Sequence, residues 1–169
     1  NSWQNSTQFI NNLIQHAELK DNHILLEYEL PYNQSRLDCM LFGKDVHSNP
    51  KMILVELKQW SSVEPANNQG NVVETYTGGA VREVAHPSEQ VKGYHDYLVD
   101  FVEFLQEESK LFSCVYCHNY SRSSDSFLYD KKFQSLLDVH PIFSKDDVNF
   151  LSTILKESIS YGSGLEVFN

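Results

Sequence analysis

The chain has 169 residues, 41% hydrophobic and 21% charged, and 13 Lys and Arg stand against 23 Asp and Glu for a net charge of −10. That size and balance favour a single globular domain of ordinary soluble composition, and no apolar run approaches the roughly 20 residues of a membrane-spanning helix. The acidic excess speaks against a tight, nonspecific nucleic-acid binder acting alone, because Lys and Arg on phosphates supply most of such affinity.

The start, Asn1-Ser2-Trp3-Gln4, has neither the basic n-region nor the apolar h-region of a signal peptide. It also lacks Met, so the chain reads as a fragment of a longer, cytoplasmic protein. Trp3, Phe9, Ile10, Leu13, Ile14 and Ala17 recur at helical spacing and predict an amphipathic first helix ending near Asp21-Asn22. Strand formers fill 23–30 (HILLEYEL), and Pro31 to Ser35 reads as a turn. A second strand is expected over 36–42 (RLDCMLF) and a third, the most apolar, over 52–60 (MILVELKQW).

Residues 61–82 are polar and carry Pro65, Asn67-Asn68, Gly70 and Gly78-Gly79. They read as a long excursion with a hairpin around Val72 to Tyr76, of a length that often marks a functional loop. A helix is expected from Pro87 to about Glu108, with Val91, Tyr94, Leu98, Phe101, Val102 and Leu105 on one face. A strand over 112–118 and helical segments near 131–138 and 145–158 complete the chain. The order α-β-β-β-α-β indicates an α/β fold, a mixed central sheet flanked by helices.

Cys39, Cys114 and Cys117 are odd in number. Cys114 and Cys117 lie three apart on an expected strand and so point to opposite faces, and no second Cys or His pair stands at finger spacing. Reduced thiols are the expectation.

The informative charges lie on the second and third strands. Glu56 and Lys58 are two apart, so both side chains leave one face of a very apolar strand. A carboxylate and an ammonium there are costly without a partner, and a bound cation is one candidate. Asp38 is likewise embedded between Leu37 and Cys39. If the strands are neighbours, Asp38, Glu56 and the Leu57 carbonyl can share one Mg²⁺ or Mn²⁺, leaving room in its shell for an attacking water and a phosphate oxygen. Lys58 would orient or deprotonate that water, or stabilise charge on the phosphorane. The plainer alternative is an Asp–Lys or Glu–Lys pair that serves packing only. Gln90 and Tyr94 are i and i+4 and share a helix face. Glu27 is a further candidate near the metal, His86 either assists phosphate binding or closes a loop, and His118 has a packing or hydrogen-bonding role rather than a ligating one.

Arg36-Leu37-Asp38 followed by Val55-Glu56-Leu57-Lys58-Gln59-Trp60 resembles the D…(D/E)-x-K core of the PD-(D/E)XK nucleases, with a restriction-endonuclease-like core. Gln90-Val91-Lys92-Gly93-Tyr94 is similar to the Q-x-x-x-Y motif of their RecB-like branch. With the stretch 26–31, His86-Pro87-Ser88-x-Gln90 and His118-Asn119-Tyr120, the set resembles the nuclease region preceding the helicase in bacterial Schlafen-group DNA/RNA helicase-like proteins. The resemblance covers residues 1–155. It implies metal-dependent nucleic-acid hydrolysis with catalytic Asp38, Glu56, Lys58, Gln90 and Tyr94, DNA rather than RNA as substrate, and a covalently linked ATPase/helicase domain beyond this chain. It also implies a role in defence against foreign DNA. Trp3 matches a family tryptophan, and the family's upstream acidic residue falls before Asn1. No G-x-x-x-x-G-K-[ST] is present, so this chain is not expected to hydrolyse ATP. The competing reading is a non-catalytic nucleic-acid or partner-binding module on the same fold, and a third is a purely structural domain.

Overall fold

The computed structural model describes residues 2–32 and 34–165, with side chains from Ser6 onward. Asn1 and the side chain of Trp3 therefore lie outside the described residues. The first helix, α1 (Ser2–His16), is followed by the antiparallel strands β1 (His23–Glu29), β2 (Arg36–Lys44) and β3 (Pro50–Lys58). A small three-stranded sheet of β4 (Glu64–Pro65), β5 (Val72–Thr77) and β6 (Ala80–Ala85) intervenes before helix α2 (Pro87–Phe101). Then come β7 (Leu111–Cys117), α3 (Gln134–Val139), β8 (Ile142–Ser144) and α4 (Val148–Ile159). The main sheet has five strands in the order β1-β2-β3-β7-β8, with β7 and β8 parallel to β3.

This is a mixed sheet flanked by helices, as the order of elements indicated. Alternation along β3 explains the layering. Met52 and Leu54 join a core with Val91 and Leu98 of α2 and Leu136 of α3. Ile53 and Val55 join the opposite core with Ile10 and Leu13 of α1 and Leu151, Leu155 and Ile159 of α4. Leu54 has no exposed surface, and truncating such a residue to Ala removes about 2–5 kcal/mol. The three thiols are free and buried, with Cys114 and Cys117 in opposite cores as strand spacing required.

Three differences from the expected elements have physical causes. Helix α1 stops at His16 rather than near Asp21-Asn22, because Glu18 turns left-handed (φ 57°) just beyond it. The helix after Pro87 stops at Phe101, because Val102 turns extended (φ −119°, ψ 103°) and a 3₁₀ turn, Glu103–Gln106, follows. Val102 and Leu105 still contribute to the core, so the apolar pattern runs on past the break. Strand β8 was not expected; three residues between two helices carry too little pattern to separate from a buried turn. The excursion after Trp60 does hold the hairpin. Thr77 pairs with Ala80 across Gly78 and Gly79, whose φ values of 59° and 84° give the left-handed turn that suits strand twist.

Candidate active site at the end of strand β3

Strands β2 and β3 pair from Lys44↔Pro50 up to Cys39↔Val55, and the ladder ends there. One step further, Asp38 would face Glu56. Instead the Asp38 carboxylate (Oδ2) accepts the Leu57 backbone N–H at 2.8 Å. A side chain thus takes the place of a ladder bond and the strands part. In an extended strand the N–H and C=O of one residue leave the same edge, so the Leu57 carbonyl also leaves toward this gap.

Glu56 lies beneath the gap and is 4% exposed. Burial holds its carboxyl well above the usual range, and the charge and side-chain hydrogen bond of Asp38 push the same way; Lys58 and the Asp38 backbone N–H pull weakly against them. Its Oε2 has no hydrogen-bond partner among the described residues. An orphaned oxygen on a buried acid beside a second acid is an expensive arrangement for the protein alone.

Lys58, on the same face, donates from Nζ to Gln90 Oε1 at 2.6 Å, and its ammonium also lies 5.2 Å from the Trp60 ring centre. Because an ammonium can only donate, it fixes which end of the Gln90 amide faces it. The other end, Nε2, donates to the Tyr94 hydroxyl at 3.0 Å. Burial raises the Tyr94 pKa, with the charges of Glu56 and Asp38 adding to the shift, so the phenol keeps its proton at neutral pH. Asp38, Glu56, Lys58, Gln90 and Tyr94 therefore converge at one place, although they come from two strands and a helix.

Helix α2 delivers its two residues because its start is tightly held. Pro87 opens the helix, the His86 ring accepts the Ser88 N–H at 3.2 Å, and Ser88 Oγ donates to the His140 carbonyl at 2.7 Å. His86 itself is fully buried, stacked on Phe133 at 4.0 Å and bonded through Nε2 to the Leu128 carbonyl at 2.9 Å. Burial lowers its pKa to about 4. Of its two expected roles, closing a loop is the one the contacts support.

Glu27 stands beside the group rather than in it. It adopts φ 50° in mid-strand, unusual for a residue with a side chain, and the β1–β2 pairing skips it at the step opposite Asp38. Its carboxylate is 3.8 Å from Arg36, which also bonds Glu29 at 3.2 Å. Glu27, Asp38 and Leu57 nevertheless line a common pocket of about 140 Å³, together with Ser6, Thr7 and Ile10 of α1. Of the two roles expected for His118, packing is the one the contacts support: its ring stacks on Phe9 at 3.7 Å, and neither ring nitrogen has a hydrogen-bond partner among the described residues.

Among the described residues no three His, Cys, Asp or Glu side chains gather to hold a metal. The donor set is smaller: two carboxylates and a backbone carbonyl, with Glu27 near. Hard oxygen donors of this number suit Mg²⁺ or Mn²⁺, which take one or two carboxylates and keep water for the rest. The unpartnered Glu56 Oε2 is the feature that such an ion would satisfy.

A polar cluster not anticipated from the sequence joins β7 to α2. His95 Nδ1 is 2.7 Å from Ser113 Oγ, and His140 donates from Nδ1 to the Ser113 carbonyl at 3.0 Å. A serine against an imidazole suggests a nucleophile, but Ser113 has no exposed surface. The cluster satisfies a hydroxyl inside the core. Its only sequence signal was a lone serine in an apolar strand.

The chain matches no protein-family model, no curated protein and no solved structure. No helix among the described residues is long and apolar enough to cross a membrane.

Proposed function

We propose that this domain hydrolyses phosphodiester bonds of nucleic acid, DNA in preference to RNA, with a divalent cation, in the manner of the PD-(D/E)XK nucleases and their RecB-like branch. The observation that carries the reading is the convergence of Asp38, buried Glu56, Lys58, Gln90 and Tyr94. A buried acid beside a half-buried one, with one oxygen unpartnered, is a poor device for stability and a good one for holding a cation.

Asp38, Glu56 and the Leu57 carbonyl would hold Mg²⁺ or Mn²⁺, with Glu27 a further carboxylate within reach. The ion, when bound, supplies charge neutralisation at the phosphate and a more acidic water. The chain's own residues do the rest. Lys58 lies against an amide and not a carboxylate, so its charge remains available to a phosphate oxygen or a nucleophilic water. Gln90 fixes the direction of Lys58, and Tyr94, with its proton retained, can donate to an anionic oxygen. The domain would serve as the nuclease module of a cytoplasmic nuclease–helicase, the ATPase lying outside this chain, in defence against foreign DNA.

A test is cleavage of labelled DNA and RNA in Mn²⁺, Mg²⁺ and EDTA by the wild type, Asp38→Ala and Lys58→Ala. Metal-dependent cleavage lost in both variants supports the proposal; cleavage unchanged in either variant defeats it. The net charge of −10 favours a second reading, a module that binds nucleic acid or a partner without cutting. Retention of a DNA–protein complex in EDTA, without cleavage in Mn²⁺, would favour that reading.

A further inference from the structure

Where α2 breaks at Phe101, the main sheet is left partly uncovered. Between this break and the edge strand β1 lies a groove of about 260 Å³, floored by Met40 and Phe42 of β2 and Met52 of β3. Leu98 and Val102 form one wall, and Leu25 and Tyr28 of β1 the other. Phe101 stands at its margin 64% exposed, stacked on Tyr97 at 4.4 Å, and the Tyr97 hydroxyl donates to the Pro31 carbonyl. The volume falls below the roughly 300–1,000 Å³ of a small-molecule pocket and suits anchoring side chains better than a whole ligand. Met40 and Met52 are the only methionines of the chain, and methionine gives a groove floor that adapts to what covers it.

The charges around the groove are of one sign. From Asp96 to Glu108 the chain carries five acids and no Lys or Arg. Asp96 pairs with Lys92 at 2.6 Å and Glu107 with Lys110 at 3.7 Å. Asp100, Glu103 and Glu108 are exposed and form no ion pair among the described residues. On β1, Glu27 and Glu29 share a single cation, Arg36. An acidic rim of this kind repels the phosphates of nucleic acid, and a second copy of a chain with net charge −10 would bring more of the same charge.

We infer that this groove docks a basic amphipathic helix of a partner protein, with apolar side chains against Met40, Met52 and Phe101 and Lys or Arg against Asp100 and Glu103. Apolar anchors at i, i+3 and i+4 fill such grooves, and charge on the flanking face sets the partner. A strand added to β1 is the poorer fit, because Glu27 adopts a left-handed backbone (φ 50°) in mid-strand and breaks the regular edge such a strand would pair with. The inference is independent of the hydrolase reading, since no residue of the Asp38–Glu56–Lys58 group lines the groove.

The probe is a synthetic peptide of leucine and lysine patterned as an amphipathic helix, beside a peptide of the same composition with the pattern scrambled. Binding is read by fluorescence anisotropy of the labelled peptide, and its place by NMR of protein carrying ¹³C-methyl methionine, in which both signals report from the groove floor. The patterned peptide should bind more tightly than the scrambled one and shift both methionine methyl signals. Phe101→Ala and Asp100→Lys/Glu103→Lys should each weaken it about tenfold. The double variant Glu64→Lys/Glu157→Lys makes the same change of charge at exposed acids elsewhere and should leave the affinity within about twofold of wild type. Phe101 and the four acids are exposed, so all three variants should melt with the wild type. No binding of the patterned peptide, binding that leaves both methyl signals in place, or equal loss in the two charge variants would overturn the inference. So would a dimer of the peptide-free protein, seen by sedimentation and dissociated by Phe101→Ala, because the groove would then belong to a second copy.

Discussion

Lys58 Nζ donates to Gln90 Oε1 at 2.6 Å, tying the last residue of β3 to the first turn of α2. The partner is neutral, so the contact aims the ammonium without cancelling its charge. Lys58→Ala should lower metal-dependent cleavage about 10²–10³-fold, the scale for removing one electrostatic stabiliser. Gln90→Ala should cost about tenfold through lost aim. Gln90→Glu should do more harm than Gln90→Ala, because a carboxylate would neutralise Lys58. Single-turnover cleavage rates for the three variants check the order; Gln90→Glu faster than Gln90→Ala would contradict it.

The Glu56 carboxyl is held above its ordinary value of 4.5 by burial first and by Asp38 second. Above that ordinary value the folded protein keeps a proton that the unfolded chain has released. Stability without metal therefore falls as pH rises from about 4.5 toward the raised pKa, by up to about 1.4 kcal/mol per pH unit for this one proton. Glu56→Gln should remove that slope and raise the neutral-pH melting temperature in EDTA. It should also abolish the stabilisation that Mn²⁺ gives the wild type. Melting curves across pH, with and without Mn²⁺, report all three effects.

His86 gives the opposite slope. Its pKa falls from 6.5 to about 4 on burial, so the unfolded chain takes up a proton that the folded one refuses. The stability tied to neutral His86 is complete above pH 6.5 and is lost as pH drops toward 4, about 3 kcal/mol in all. His86→Asn keeps a helix-capping side chain and should shrink this acid limb. Burial also lowers His95, His118 and His140, so part of the limb should persist. An acid limb unchanged in His86→Asn would show that His86 titrates normally.

Burial pushes the Cys117 thiol up to about 12 and the Cys39 and Cys114 thiols higher still. None should react with a thiol-specific reagent in the native state at neutral pH, and all three should react once the chain is unfolded. Fast labelling of the folded protein would contradict their placement in the two cores.

The site was legible because its members announce themselves locally. Glu56 and Lys58 interrupt an otherwise apolar strand, Asp38 interrupts its neighbour, and Gln90 and Tyr94 obey helical spacing. The sequence also pointed to a hairpin, through the strand formers around Val72 to Tyr76, although the turn itself lies further on, at Gly78-Gly79. Other features depend on tertiary context. The side-chain bond from Asp38 to the Leu57 N–H exists only because β2 and β3 part at that step. The left-handed backbone of Glu27 has no residue-type signature, since glutamate rarely adopts it. Glu27 borders the same pocket as Asp38 and Leu57, yet its carboxylate turns toward Arg36. Strand β8 and the His95–Ser113–His140 cluster were invisible because each is assembled from short, distant pieces.

Calorimetric titration of Mn²⁺ into the protein, beside an Asp38→Ala/Glu56→Gln double variant, tests the central claim most directly. The account predicts a saturable binding isotherm in the wild type and none in the variant, with both proteins folded by circular dichroism. Equal binding in the two proteins, or no binding in the wild type, would contradict it and leave the acid pair as a feature of the core alone.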